Sequence, residues 1–177
     1  GSGKTTLLNI LMGLLKIDYG QVSLDGKKID IFNNNEYRRL FGYVPQDCFL
    51  FNDTLKKNIT LLSDNIDLSE KEYKVDEESL KEAIDISQLS ALVNQNDDGE
   101  NMIIGDNGKL ISGGEKQRVG IARTLYMKPK ILILDEATSA IDKENEKIIF
   151  DRLMNLNEVT KIIVSHDKDI LKRCDEI

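Results

Sequence analysis

Ile131-Leu132-Ile133-Leu134-Asp135-Glu136 is the stretch that decides the fold. Four apolar residues in succession leave no face for water, the pattern of a strand buried on both sides of a parallel sheet covered by helices. The strand ends in two carboxylates, which offer an oxygen ligand for a hard cation and a base beside it. Just upstream, Ile111-Ser112-Gly113-Gly114-Glu115-Lys116-Gln117-Arg118 reads as a Ser-Gly-Gly turn opening a polar helix. The unpaired N–H groups and the positive dipole end of such a helix make an anion site. Together the two segments imply a nucleotide phosphate that is held and cut.

Outward from this pair, strands and helices alternate. A helix is expected from Gly114 to about Tyr126, with Val119, Ala122 and Leu125 inward, and Pro129 separates it from the strand. Beyond the carboxylates, a helix near Asp142 to Leu156 carries Ile149, Leu153 and Leu156, and Lys161 to Val164 makes a further buried strand. Two strands joined through a helix form a βαβ unit with a right-handed crossover. Towards the N-terminus, Leu7, Leu11, Leu14 and Leu15 recur at helical spacing and predict one apolar face. Short strands are expected at Gln21 to Leu24, bracketed by Gly20 and an Asp25-Gly26 turn, and at Phe41 to Val44, stopped by Pro45.

From about Cys48 to Gly108 the chain turns polar and helical. Leu80, Ala83 and Ile84 mark a helix face there, and Asn94 to Asn101 reads as a polar loop. The acidic run Asp64, Asp67, Glu70, Glu72, Asp76, Glu77 and Glu78 reads as a solvated surface. The fold class expected from this pattern is α/β, a mostly parallel sheet flanked by helices, with an inserted helical subdomain.

The 177 residues suit one compact domain, and 40% hydrophobic with 31% charged residues is an ordinary globular composition. A net charge of −7 without a dense Lys/Arg stripe argues against direct nucleic-acid binding, which relies on clustered cations. Cys48 and Cys174 share no metal-ligand spacing, and the single histidine cannot complete a zinc set with them. They fit a reduced, intracellular chain. No apolar run approaches the roughly 18 residues that span a bilayer. The first residue is Gly1 rather than Met, which is expected of a segment of something longer.

Candidate chemistry also lies at the N-terminus and at the strand ends. Gly3-Lys4-Thr5 has the form of the end of a phosphate-binding loop, with Lys4 reaching phosphates and the Thr5 hydroxyl on Mg²⁺. On this fragment alone, a flexible Gly-Ser turn before a helix is the other reading. Asp135 suits a Mg²⁺ role, and Glu136 is placed to polarise an attacking water. His166 follows a strand and so stands at the carboxyl edge of the sheet, where open α/β folds bind ligands. It reads either as a structural histidine or as a γ-phosphate contact. Gln46 lies just past a strand end too, as a ligand for Mg²⁺ or water, or as an exposed loop residue.

The set Gly-Ser-Gly-Lys-Thr-Thr, Val-Pro-Gln, Ile-Ser-Gly-Gly-Glu-Lys-Gln-Arg, Ile-Leu-Ile-Leu-Asp-Glu, Ser139-Ala140-Ile141-Asp142 and Ile163-Val164-Ser165-His166 resembles the ATP-binding cassette of ABC transporters. The resemblance covers the chain end to end, without the family's first strands, adenine-stacking aromatic, leading glycine and final strands. It implies a P-loop NTPase with a RecA-like core over 1–47 and 109–177, its N-terminal strands missing, and a helical subdomain over 48–108. Gly1, Ser2, Gly3, Lys4, Thr5 and Thr6 would bind ATP, and Thr5, Gln46 and Asp135 would hold Mg²⁺. Glu136 would be the catalytic carboxylate, His166 the switch histidine and Gln46 the Q-loop residue. Ser112, Gly113 and Gly114 would contact ATP held by a second cassette, the same or a different chain, facing the first head to tail, with Asp142 crossing that interface.

Direction of transport is a finer resemblance. Phe49-Leu50-Phe51-Asn52-Asp53-Thr54 and Asn58-Ile59 are similar to the segment after the Q-loop in exporters. Gly105-Asp106-Asn107-Gly108 takes the place of the exporter X-loop but departs from its usual Gly-Glu-Arg-Gly. The resemblance therefore implies an ATPase at the cytoplasmic face of a membrane, attached to transmembrane domains and driving export. Two alternatives are a soluble tandem-cassette ABC ATPase acting in translation and a dimerisation switch that binds ATP without hydrolysis.

Overall fold

The computed structural model describes residues 3–24, 26–62 and 74–176. Gly1 and Ser2 of the expected phosphate loop, Asp25 of the expected turn, and Asp64, Asp67, Glu70 and Glu72 of the acidic run lie outside the described residues. The strands are β1 (Val22–Leu24), β2 (Lys27–Ile29), β3 (Phe41–Val44), β4 (Ile131–Asp135) and β5 (Thr160–Val164). β1 and β2 form an antiparallel pair, whereas β3, β4 and β5 form a parallel sheet with β4 in the middle.

The alternation of side chains along β3 to β5 builds two cores. Leu132 and Leu134, with Val44 and Ile163, face Ile121 of α6 (Gly113–Tyr126) and Ile149 and Leu153 of α7 (Lys143–Met154). Ile131 and Ile133, with Phe41, Tyr43, Ile162 and Val164, face Leu8 and Met12 at α1 (Lys4–Leu11). Leu132 and Ile133 are fully buried, each contributing roughly 1.5–3 kcal/mol. The molecule is thus α/β, with a parallel sheet flanked by helices. β5 is only half-buried, short of the expected burial, because β4 is its one strand partner among the described residues.

The apolar face expected of the first helix is also different. Leu8 and Met12 are buried, while Leu7, Leu14 and Leu15 are exposed. The helix ends at Leu11, and Gly13 turns the chain at φ +70°, where a Cβ would overlap the Ile31 carbonyl. Leu14 and Leu15 therefore fall beyond the helix and its periodicity stops applying to them. Tyr37, in the short α2 (Asn35–Arg38), holds the end of α1 by donating its hydroxyl to the Leu11 carbonyl at 2.9 Å.

A third core joins α6 to α3 (Leu55–Thr60), α4 (Glu77–Ile86) and the neighbouring α5 (Ser90–Asn94). Leu50, Leu55, Ile59, Leu80, Leu89 and Ile104 pack there with Val119 and Ala122 of α6, so α6 has one apolar side on the sheet and another on the helices. Asp76 caps α4, and its bonds from Ser79 and the nearby Lys128 hold its carboxyl well below the usual range. Asn94 to Asn101 contains a 3₁₀ turn at Gly99–Asn101 rather than a plain loop. A last short helix, α8 (Lys168–Leu171), follows β5.

Asn58 holds the segment after β3 in place. Its Oδ1 accepts from the Phe51 N–H at 2.8 Å and from Arg123 at 3.3 Å, and its Nδ2 donates to the carbonyls of Phe51 and Thr54 at 3.0 Å each. Arg123 also donates to the carbonyls of Asn58 and Phe49 at 2.8 and 2.9 Å. Asn58 is fully buried, so truncation leaves a cavity, takes the acceptor from the Phe51 N–H and removes one partner of Arg123, while the Phe51 and Thr54 carbonyls keep the N–H groups of Asp53 and Asn58. Asn58→Ala is predicted to cost about 2–4 kcal/mol. Chemical denaturation checks this, and a loss below about 0.5 kcal/mol would contradict the network's role.

Candidate functional site

Register places the candidate residues on one edge. Val44 lies opposite Leu134, and Asp135 lies opposite Val164. Gln46, the Asp135-Glu136 pair and His166 therefore all follow the carboxyl ends of adjacent parallel strands, the place where open α/β sheets bind ligands.

Asp135 accepts the Tyr43 hydroxyl at 3.1 Å. Burial and the Asp135 charge push the Tyr43 phenol up, which keeps it a donor. Glu136 leaves the sheet in the left-handed region at φ +51°, which a non-glycine residue adopts only under constraint. Its N–H donates to the Val164 carbonyl at 2.9 Å, so the turn is fixed by the neighbouring strand. The Glu136 side chain is 25% exposed, and its Oε1 lies 3.1 Å from Nε2 of His166, which is 81% exposed. The pair thus stands at the border of water and protein. A cavity of about 150 Å³ lies beside it, lined among others by Thr138, Glu146 and Phe150. Ligand pockets usually measure roughly 300–1,000 Å³, so this cavity suits water, and a nucleotide would lie on the open edge.

Gly3 begins α1 at φ +80° with no side-chain cap on the helix. Lys4, Thr5 and Thr6 occupy its exposed first turn. Gln46 is exposed too. Thr5, Gln46 and Asp135 offer a hydroxyl, an amide oxygen and a carboxylate. Among the described residues no cluster of three His, Cys, Asp or Glu side chains forms a cation cage. A set of few hard oxygens fits Mg²⁺, which keeps waters and substrate phosphates among its ligands.

Ser112 caps α6 through a capping box. Its hydroxyl accepts the Glu115 N–H at 3.2 Å, and Glu115 Oε2 accepts the Ser112 N–H at 2.7 Å. Ser112 and Gly113 are exposed, and nothing lies within 4 Å of a Cβ placed on Gly113. On Gly114, by contrast, a Cβ would lie 3.0 Å from the Ala140 carbonyl oxygen. Asp142 caps α7, and the Asn145 backbone and side-chain bonds hold its carboxyl below the ordinary value. The loop Gly105–Gly108 contains a 3₁₀ turn at Asp106–Gly108, and Asn107 there accepts the Leu50 N–H at 3.3 Å.

Comparison with known proteins decides the family, because the ABC transporter family model matches residues 1–139. The chain belongs to the ABC transporter family. It is 38% identical to an ATP-dependent lipid A-core flippase of Aliivibrio fischeri, over the whole chain and 29% of the flippase. Identity is 36% to the colicin V secretion/processing ATP-binding protein CvaB of Escherichia coli, over the whole chain and 24% of that protein. It is 40% to the ATP-dependent permease MDL1 of Candida albicans, over the whole chain and 25% of that protein. The chain thus spans between a quarter and a third of these relatives, or slightly less. Among solved structures, a bacterial Atm1-family ABC exporter with ATP bound superposes with a TM-score of 0.84 at 31% identity, over 98% of this chain and 29% of that one. Among the described residues of this ABC chain, no helix is long and apolar enough to cross a membrane.

Two residues at the ABC site stand out only in three dimensions. Tyr43 reaches Asp135 across the strand pair, and Gln117 bonds three separate segments from within α6. Gln117 left one trace in the sequence: it is a polar residue four positions before Ile121, on the buried stripe of an otherwise amphipathic helix.

Proposed function

We propose that this chain is the ATP-hydrolysing unit of an exporter, acting as a head-to-tail pair of cassettes on the cytoplasmic face of a membrane. The observation that carries it is Glu136, turned out of the sheet edge beside Asp135 and with its carboxylate against His166. In this reading Glu136 orients the attacking water, and His166 fixes the carboxylate and contacts the γ-phosphate. The Gln46 amide would serve as a ligand for Mg²⁺ or for the attacking water. Gly1, Ser2, Gly3, Lys4, Thr5 and Thr6 cradle the phosphates, with Lys4 as the point charge among backbone donors. Thr5, Gln46 and Asp135 would hold Mg²⁺, which when bound would neutralise charge on the phosphates.

Ser112, Gly113 and Gly114 contact ATP on a second cassette, identical or different. Their exposed helix start, open in front of Gly113, supports this. Residues 1–47 and 109–177 act as the ATP-binding core and 48–108 as the helical subdomain, a reading supported by the way α3, α4 and α5 pack on the side of α6 away from the sheet. The relatives are a flippase, a secretion protein and a permease, which favours attached transmembrane domains and export over a soluble factor in translation.

The full-length protein in lipid is predicted to release phosphate from Mg·ATP at about 1–100 per second, within the usual range of enzyme turnover. ATP binding without phosphate release would replace this reading with the dimerisation switch.

A further inference from the structure

Gln117 lies in the second turn of α6 and is 3% exposed. Its Nε2 donates to the carbonyls of Gln46 at 3.4 Å and Glu136 at 3.2 Å, and its Oε1 accepts the Ala140 N–H at 2.8 Å. Two acceptors on one side and a donor on the other admit only this orientation of the amide. One side chain therefore joins the loop after β3, the turn after β4 and the segment leading into α7. Gly114 meets the same segment, since a Cβ there would lie 3.0 Å from the Ala140 carbonyl oxygen. The start of α6 thus grips residue 140 by its N–H and lies against its carbonyl.

Glu136 is the residue most affected. Its peptide is held by its own N–H on Val164, and by Ser139 and Gln117 on its carbonyl. A positive φ at a glutamate persists only while such bonds over-determine it. We propose that Gln117 is a positioning residue that locks the start of α6 to Glu136. Engagement of Ser112, Gly113 and Gly114 by a partner's nucleotide then sets the aim of the Glu136 carboxylate. The proposal rests on Glu136 supporting hydrolysis, as above.

The test uses the full-length protein with Gln117→Met, which keeps length and loses every hydrogen bond, and Gln117→Glu, which keeps the acceptor for Ala140 and loses both donors. Both are expected to lower kcat by about 10- to 50-fold, as small misplacements of reacting groups do, with KM for Mg·ATP within about twofold. In a Glu136→Gln background the same changes should lower residual turnover by less than about twofold, because they act through Glu136. Three results would overturn the proposal: kcat within twofold of wild type, an undiminished further loss in the Glu136→Gln background, or failure of both variants to fold. Glu136→Gln alone gives the control: if that variant turns over normally, the parent reading has failed rather than the positioning role.

Discussion

Glu136→Gln in the full-length protein is expected to lower ATP turnover by about 10²- to 10⁴-fold, the range for a positioned acid–base group, while Mg·ATP affinity stays within about threefold. The substitution is nearly isosteric, so the Glu136 N–H on Val164 and its carbonyl bonds to Ser139 and Gln117 remain available. Its amide can still meet His166, 3.1 Å away in the parent pair. What it loses is the negative charge that draws a proton from water. Asp135, the other carboxylate at this edge, is already engaged by the Tyr43 hydroxyl and is not positioned to substitute. Stopped-flow phosphate release and nucleotide-binding titration separate the two parameters, and turnover within fivefold of wild type would remove Glu136 from its role.

Ser112→Arg is the second large effect. The side chain would project from the exposed start of α6, where Ser112 and Glu115 now cap each other. Losing the cap costs about 0.5–2 kcal/mol of helix stability, an effect Ser112→Ala should share. The bulk and charge of arginine add an obstacle on the face offered to a second cassette. ATP binding to one cassette is expected to stay within about threefold, because Lys4 and Thr5 lie on a different helix. Turnover is expected to fall by about 100-fold or more, near the loss from misplacing a catalytic geometry. Ser112→Ala should fall much less. Equal losses in the two variants would make the capping box, and not the interface, the cause.

Legibility in the sequence followed the range of the forces involved. β4 was readable because burial on both faces demands an apolar run, and the burial of Leu132, Ile133 and Leu134 meets it. The edge position of Gln46, Asp135, Glu136 and His166 followed from strand ends alone, since a parallel sheet brings those ends together. The inner face of α1 differs from the expected one at Leu14 and Leu15 because the turn at Gly13 removes them from the helix, and at Leu7 because the buried side of the helix runs through Leu8 and Met12 instead. β5 is expected to be buried and is only half-buried, because burial depends on neighbouring strands that its own residues do not reveal. Gln117 and Tyr43 act across 19 to 92 residues of sequence. The left-handed turn at Glu136 depends on a carbonyl of another strand, so no local pattern announces it.

The central claim is that each ATP site is assembled from Lys4 of one cassette and Ser112 of another. Single-turnover hydrolysis in mixed full-length dimers, one subunit carrying Lys4→Ala and the other Ser112→Arg, tests it most directly. Head-to-tail assembly leaves one site with both wild-type residues in that dimer. It leaves none when both substitutions share a subunit paired with wild type. The expected result is fast phosphate release from about one site per mixed dimer and from none in the control, and equal behaviour of the two dimers would contradict the claim.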